Sequence, residues 1–371
     1  MNNDFKNLKK CSILLNALGG IMINNRKYFF KFFLILTSFI IIVVTFFDAK
    51  KSPTYKLEII SSYGDNEAYH PKILNFSKKW NGYKYWMSYT PYPRGNSDLE
   101  NPHIAVSNDL INWYAPNSEN KPLDEVTDLK AKKRYNSDSH IVYNKDKNIL
   151  ICFWRYVDDT KKQVIIYKIE SFDGVNWSNK EEVMVSNDRF LKDYVSPVII
   201  YDKKIYKIWY LDVKNTLRYA ESKDTFNWED KEVIKFNYPE KLDTWHMDVI
   251  KTKKGYEMIV AAYDKWRNHN RMNLYYTKSK DEVHFEDAVL ILEPERNTLN
   301  FDNAGIYRSS FIYQDGYYYL YYGAVSYLGE RGIGFAYGKD ITDLKRDKTN
   351  YKDPKEVKKL IKKLNNLKKK S

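Results

Sequence analysis

The chain has 371 residues, 43% of them hydrophobic, with 33 tyrosines, 9 tryptophans and a net charge of +13. The length admits one large domain or two ordinary ones, and the aromatic content favours strands over helices. The charge lies at the ends: residues 1–53 carry eight Lys/Arg against Asp4 and Asp48, residues 350–371 carry nine Lys against Asp353 and Glu356, and residues 54–349 balance to zero. A nucleic-acid reader carries its basic charge on the folded surface, so that class is excluded. Two cysteines, Cys11 and Cys152, make no disulfide framework. Cys152 sits in the apolar run 149–154 and reads as a buried free thiol.

In chain order, residues 1–27 form a basic N-terminal segment, within which Met22 offers a second start. Residues 28–47 follow as twenty residues interrupted only by Lys31, long enough for a membrane-spanning helix. Arg26, Lys27 and Lys31 at its head predict a cytoplasmic N-terminus and an extracytoplasmic remainder. No small-x-small cleavage site follows, so the expectation is an uncleaved single-pass anchor. Residues 55–60 then read as a lone strand that joins the last sheet.

A word recurs downstream. Ser107 to Trp113, Ser171 to Trp177, Ser222 to Trp228 and Ser279 to Phe285 each place a serine six residues before an aromatic ring, with an aspartate at the third position. Such a period is architectural. Upstream of the copies lie segments that begin polar and end apolar, at 69–74, 137–142, 195–200, 245–250 and 307–312, each followed by an aromatic strand and a third strand. The pattern predicts an all-β, five-bladed β-propeller over residues 52–348, with the repeated word as the turn between third and fourth strands. Residues 349–371 read as a basic amphipathic helix, with Val357, Leu360, Ile361, Leu364 and Leu367 on one face. It either caps the propeller or lies on the membrane surface.

In a propeller the innermost strands line the axis, and their polar heads meet at one rim. His70, Asp138, Ser196, His246 and Arg308 occupy matching positions there, and Lys72, His140, Val198, Asp248 and Ser310 lie two residues deeper. Ends of second strands and nearby loops add Glu100, Arg155, Asp212 and Asp264, and Trp245 precedes His246. Aromatic platforms with Asp, Arg and His donors suit sugars, so the expected partner is an oligo- or polysaccharide. The plain alternative is a polar channel whose groups satisfy one another around water. No cofactor is expected, although His and Asp around an axis can also hold a divalent ion. Oligomeric state is left open.

The phrases at 101–113 and 217–228, together with inner strands carrying Pro after a polar residue, resemble the five-bladed propeller glycosidases of the arabinanase, xylosidase, levansucrase and invertase superfamily. The resemblance covers residues 65–345. It implies an Asp before Pro on blade one, an Asp before Pro on blade three and a Glu on blade four, serving two-carboxylate glycoside cleavage. Here those positions hold His70 before Pro71, Ser196 before Pro197, and His246, so the usual triad is not matched.

Three readings remain. In the first, a glycoside hydrolase-like enzyme acts on a cell-surface or extracellular polysaccharide through Asp138 and Asp248. His70 or His246 would then move the proton, and Arg308 would hold an anionic substituent. Glu100, Arg155, Ser196, Asp212, Trp245, Asp264 and His140 would bind substrate. The second is a non-catalytic sugar-binding protein of polysaccharide assembly. The third is a phosphate-using, glycoside phosphorylase-like enzyme.

Overall fold

The computed structural model describes residues 30–40, 54–117, 119–126, 133–264, 271–296 and 298–348. The chain divides into two units, residues 1–52 with 297–299, and residues 53–296 with 300–371. In the first unit, residues 30–40 are helical. No helix among the described residues is long and apolar enough to cross a membrane. The flanks 28–29 and 41–47 of the expected anchor lie outside them, and the anchor has no support from what is described. The tail 349–371 also lies outside the described residues.

The second unit is built of five antiparallel sheets. Blade one has β1 (Ala68–Trp80), β2 (Tyr83–Pro91) and β3 (His103–Ser107). Blade two has β4 (Arg134–Asn144), β5 (Ile149–Asp158), β6 (Gln163–Ser171) and β7 (Glu181–Ser186). Blade three has β8 (Val195–Asp202), β9 (Ile205–Leu211), β10 (Leu217–Ser222) and β11 (Glu229–Val233). Blade four has β12 (Asp243–Thr252), β13 (Gly255–Tyr263), β14 (Asn273–Ser279) and β15 (Val289–Leu292). Blade five has β16 (Gly305–Gln314), β17 (Tyr317–Val325), β18 (Arg331–Gly338) and the two-residue β19 (Lys345–Arg346). Inner strands touch in a closed ring: β1 beside β4, β4 beside β8, β8 beside β12, β12 beside β16, and β16 back beside β1. The five inner segments read from the sequence all fall on these strands.

One detail differs from the expectation of five four-stranded blades, and another agrees with it. Blade one has three strands, and its fourth is reduced to the single bridge between Val106 and Tyr114. Blade five is closed by the chain's own start, where the Leu57 N–H donates to the Ile333 carbonyl at 2.8 Å. Leu57 and Ile59 are buried in the apolar cluster shared by blades five and one. This is the closure expected of 55–60, although no regular strand forms there.

Trp86, Trp154 and Trp209 are fully buried between blades. Each contributes roughly 3 kcal/mol through the apolar area it removes from water. Cys152 is a buried free thiol. The repeated word is a staple built the same way each time. In blade three, Asp224 Oδ1 accepts from the N–H groups of Phe226 and Asn227, while its Oδ2 accepts from Asn227 Nδ2. Trp228 Nε1 then donates to the Thr225 carbonyl. Asp109, Asp173 and Asp281 repeat the arrangement.

Candidate active site at the propeller axis

Every inner strand carries one extra residue relative to its partner at the same height. The register slips between Tyr69 and Lys72, Ser137 and His140, Val195 and Val198, Thr244 and His246, and Ile306 and Ser309. Such bulges re-aim side chains beside functional sites. His70, Asp138 and Ser196 adopt left-handed backbone there, with φ of 50°, 54° and 52°. For a non-glycine residue that conformation is strained by about 1 kcal/mol or more, and the surrounding fold has to hold it. Pro71 and Pro197 fit the bulge because proline has no N–H to give to the ladder.

The bulges turn five heads into one chamber. Asp138 Oδ1 lies 2.8 Å from Arg308 Nη1 and 3.7 Å from His246 Nδ1. Ser196 Oγ shares a hydrogen bond of 2.9 Å with His246 Nδ1. The His70 and His246 rings are 5.7 Å apart. His70 Nδ1 meets Thr90 Oγ1 at 2.7 Å and Glu100 Oε1 at 3.1 Å. Aromatic rings wall the chamber: Tyr69 stacks on Tyr307 at 4.9 Å, Tyr307 lies 4.4 Å from His246, and Tyr92 lies 5.7 Å from His70. Trp245 Nε1 donates to the Tyr307 hydroxyl at 3.1 Å, which fixes both rings.

A second polar layer lies beneath. Lys72 Nζ donates to Asp248 Oδ1 at 2.6 Å, and Ser310 Oγ donates to Asp248 Oδ2 at 2.6 Å. Asp248, expected as a working carboxylate, is 2% exposed, and both its oxygens are engaged by Lys72 and Ser310. His140, expected to bind substrate, is buried, with its Nε2 bonded to the Ile199 backbone and its Nδ1 beside Arg308 Nη2. Arg308, expected to hold an anionic substituent, turns its donors inward. It is 1% exposed and divided among Asp138, His140 and the Pro197 carbonyl.

The protonation of the two chamber carboxyls is pushed apart. Burial would raise the Asp138 carboxyl, but Arg308, with His246, His70 and Arg155 behind it, holds it well below the usual carboxylate range. For Glu100, burial raises the carboxyl, and His70 opposes this only in part. His140 is lowered well below the ordinary imidazole value by burial and by Lys72 and Arg308, so it stays neutral. Opposed carboxyls in one site are the arrangement that divides acid and base roles.

The remaining expected residues sort by position. Arg155 sends Nε and Nη2 to both oxygens of Asp193, a buried bidentate pair that supports the chamber from behind. Asp212, expected to bind substrate, sits in the turn after β9, where it accepts from the N–H groups of Lys214 and Thr216 and from Arg218 Nε. Asp264 is half-buried just past β13, at the border of the described residues. The sequence reading missed Thr90, Tyr92 and Asp193. All three sit at second-strand ends or before an inner strand, and following β2 to its end would have found the first two. Among the described residues no group of three or more His, Cys, Asp or Glu is arranged to hold a metal ion. A surface groove beside the blade-three turn, lined by Ile205 and residues 221–224 and 226–229, gathers no comparable cluster of imidazoles and carboxyls.

No family model matches the sequence. The chain is 26% identical over 307 residues to an A type blood N-acetyl-α-D-galactosamine deacetylase of Flavonifractor plautii. The alignment covers 69% of this chain and 39% of that protein, so the chain spans well under half of its relative's length. Among solved structures it resembles an N-acetylgalactosamine deacetylase from F. plautii in complex with blood group B trisaccharide, with TM-score 0.68 and 22% identity, covering 77% of this chain and 94% of that one. It also resembles an exo-1,5-α-L-arabinanase from a bovine ruminal metagenomic library, with TM-score 0.52 and 13% identity over 77% and 99% of the two chains. A thermostable family-43 glycoside hydrolase matches with TM-score 0.54 and 12% identity over 81% and 98%. The chain is a five-bladed β-propeller of the architecture found in arabinanase-type glycosidases. Within that architecture it also resembles the deacetylase, to which its sequence can be aligned over most of its length.

Proposed function

We propose that the chain is a carbohydrate-acting hydrolase that removes an N-acyl group from an amino sugar in the axial chamber. One observation carries this most. The three positions expected to hold glycosidase carboxylates carry His70, Ser196 and His246, yet they converge on Glu100 and Asp138. In amide hydrolysis a water oxygen bonds to the acyl carbon and the C–N bond breaks. The water's proton passes to Glu100 and on to the leaving nitrogen, giving a carboxylic acid and a free amine. A glutamate raised toward the working pH is an efficient base for this, and His70, 3.1 Å from it, can relay the proton. His246, oriented by Ser196, donates to the oxyanion that develops on the acyl oxygen. Asp138 stays ionised and steadies the imidazoles. Tyr69, Tyr307 and Trp245 offer apolar faces to the sugar ring. The name of the F. plautii relative supports the same class.

Glycoside cleavage is a second reading, favoured by the opposed carboxyls: Glu100 would be the acid and Asp138 the base or nucleophile. The full chain incubated with an N-acetylated oligosaccharide separates the two. Free acetate and amine without new reducing ends is the expected result. New reducing ends would favour glycoside cleavage, and a requirement for inorganic phosphate would favour the phosphorolytic variant. Binding without either product would make the chain a sugar-binding module. A divalent ion in the axis is a separate proposal, checked by metal analysis of the purified chain. So is an extracytoplasmic location, which rests on residues 28–47 alone and is checked by protease shaving of intact cells.

A further inference from the structure

Three arginines are buried among the described residues: Arg155, Arg308 and Arg331. The first two have a carboxylate, Asp193 and Asp138 respectively. Arg331 has none within ion-pairing distance among the described residues. Its Nη1 donates to the Gly329 carbonyl at 3.1 Å, and its buried Nε has no hydrogen-bond partner. It is 7% exposed, and an unpaired charge in such a place is costly. The guanidinium lies 4.7 Å from the Tyr92 ring centre and 5.8 Å from that of Tyr69. Those same rings lie 5.7 and 4.8 Å from His70. The cation therefore belongs to the wall of the chamber. The opposing loop keeps room for it: a Cβ on Gly95 would fall 2.9 Å from Arg331 Nη2.

We infer that Arg331 reads an anionic substituent on the sugar, or on its neighbour in the glycan chain, so that the ligand of this site is an acidic oligosaccharide. The inference rests on the carbohydrate reading above and narrows it. A planar guanidinium with unspent donors matches the oxygens of a carboxylate, sulfate or phosphate ester, which it can hold by two parallel bonds. Stacking on Tyr92 and Tyr69 holds the plane and offsets part of the cost of the unpaired charge. The role expected of Arg308 thus falls to an arginine at the start of β18 in blade five.

The test is calorimetric binding to the full chain, with chitotetraose as the neutral probe, a hyaluronan tetrasaccharide as the carboxylate probe and a chondroitin sulfate tetrasaccharide, which adds sulfate to uronate carboxylates, as the probe of carboxylate plus sulfate. At least one acidic probe should bind about tenfold or more tightly than chitotetraose, and the advantage should shrink as salt rises. Arg331→Gln should remove the advantage while chitotetraose affinity stays within about twofold; Arg331→Lys should keep part of it. The relative strength of the two acidic probes shows whether sulfate adds to what the carboxylate supplies. Should Arg331→Gln fail to fold, the salt dependence of the parent chain decides. Equal affinity for all three probes at low salt overturns the inference and leaves the carbohydrate reading standing. Failure of every probe to bind contradicts both.

Discussion

Asp138 and Arg308 stand 170 residues apart in the chain and 2.8 Å apart in space, tying blade two to blade five across the propeller axis. The pair is buried, and removing one member strands the other. Asp138→Asn should therefore cost about 3–5 kcal/mol of stability and abolish turnover. Thermal denaturation of Asp138→Asn, Arg308→Gln and the double variant checks this. The double variant should lose less than the sum of the singles. Additive losses would show that the two groups do not depend on each other.

The same carboxylate sets an acid limit. Its pKa in the folded chain lies below the unfolded value, so the stability it contributes is complete above about pH 3.9 and is lost as pH falls toward the folded value. Denaturant titrations from about pH 5 down to about pH 1.5 should show an acid limb that flattens in Asp138→Asn. A limb of unchanged slope would speak against the ion pair.

Glu100 behaves in the opposite sense. Its folded pKa is raised, so its contribution to stability is present below about pH 4.3 and is lost as pH rises through the folded value. As a base it must ionise, and kcat/KM for acetate release should rise with pH through that same raised value. Glu100→Gln should melt close to the parent and lose about a hundredfold or more in rate. A variant that retains its rate would remove Glu100 from the chemistry.

Asp248 separates support from catalysis. With Lys72 left unpaired, Asp248→Asn should lower stability by about 3 kcal/mol, while the folded fraction keeps kcat within a few-fold of the parent. Loss of kcat in well-folded protein would return Asp248 to the working set.

Gly174 marks how tightly the staples press on the blades. Its φ is +75°, and a Cβ there would fall 2.1 Å from the Trp86 ring. Gly174→Ala should cost about 2 kcal/mol through overpacking and backbone strain without affecting acetate release. An unchanged melting temperature would mean that Trp86 yields more easily than its burial implies.

Much of this was legible in the sequence, because a propeller repeats its periodic signals. The serine-to-aromatic word marked the turns, and the polar heads of the inner segments marked the axis. Hence His70, Asp138, Ser196, His246 and Arg308 could be placed together before any coordinates. Local pattern does not reveal which neighbour each head takes. Arg308 spends its donors on Asp138, and Asp248 spends its oxygens on Lys72 and Ser310, through contacts between blades that no spacing encodes. Prolines 71 and 197 hinted at bulges on two strands; the bulges on the other three carry no residue signature. That blade one has only three strands among the described residues was hidden too, because its turn word is intact. Arg331 carries no signature in its local pattern; what sets it apart is a guanidinium with no ion-pairing carboxylate among the described residues, and only the coordinates show that.

The most direct measurement is a crystal structure of Glu100→Gln with an N-acetylated oligosaccharide bound. The account predicts the acyl group between His70 and His246, with the sugar ring against Tyr69, Tyr307 and Trp245. A sugar seated in the groove beside the blade-three turn, with the axial chamber empty, would contradict it.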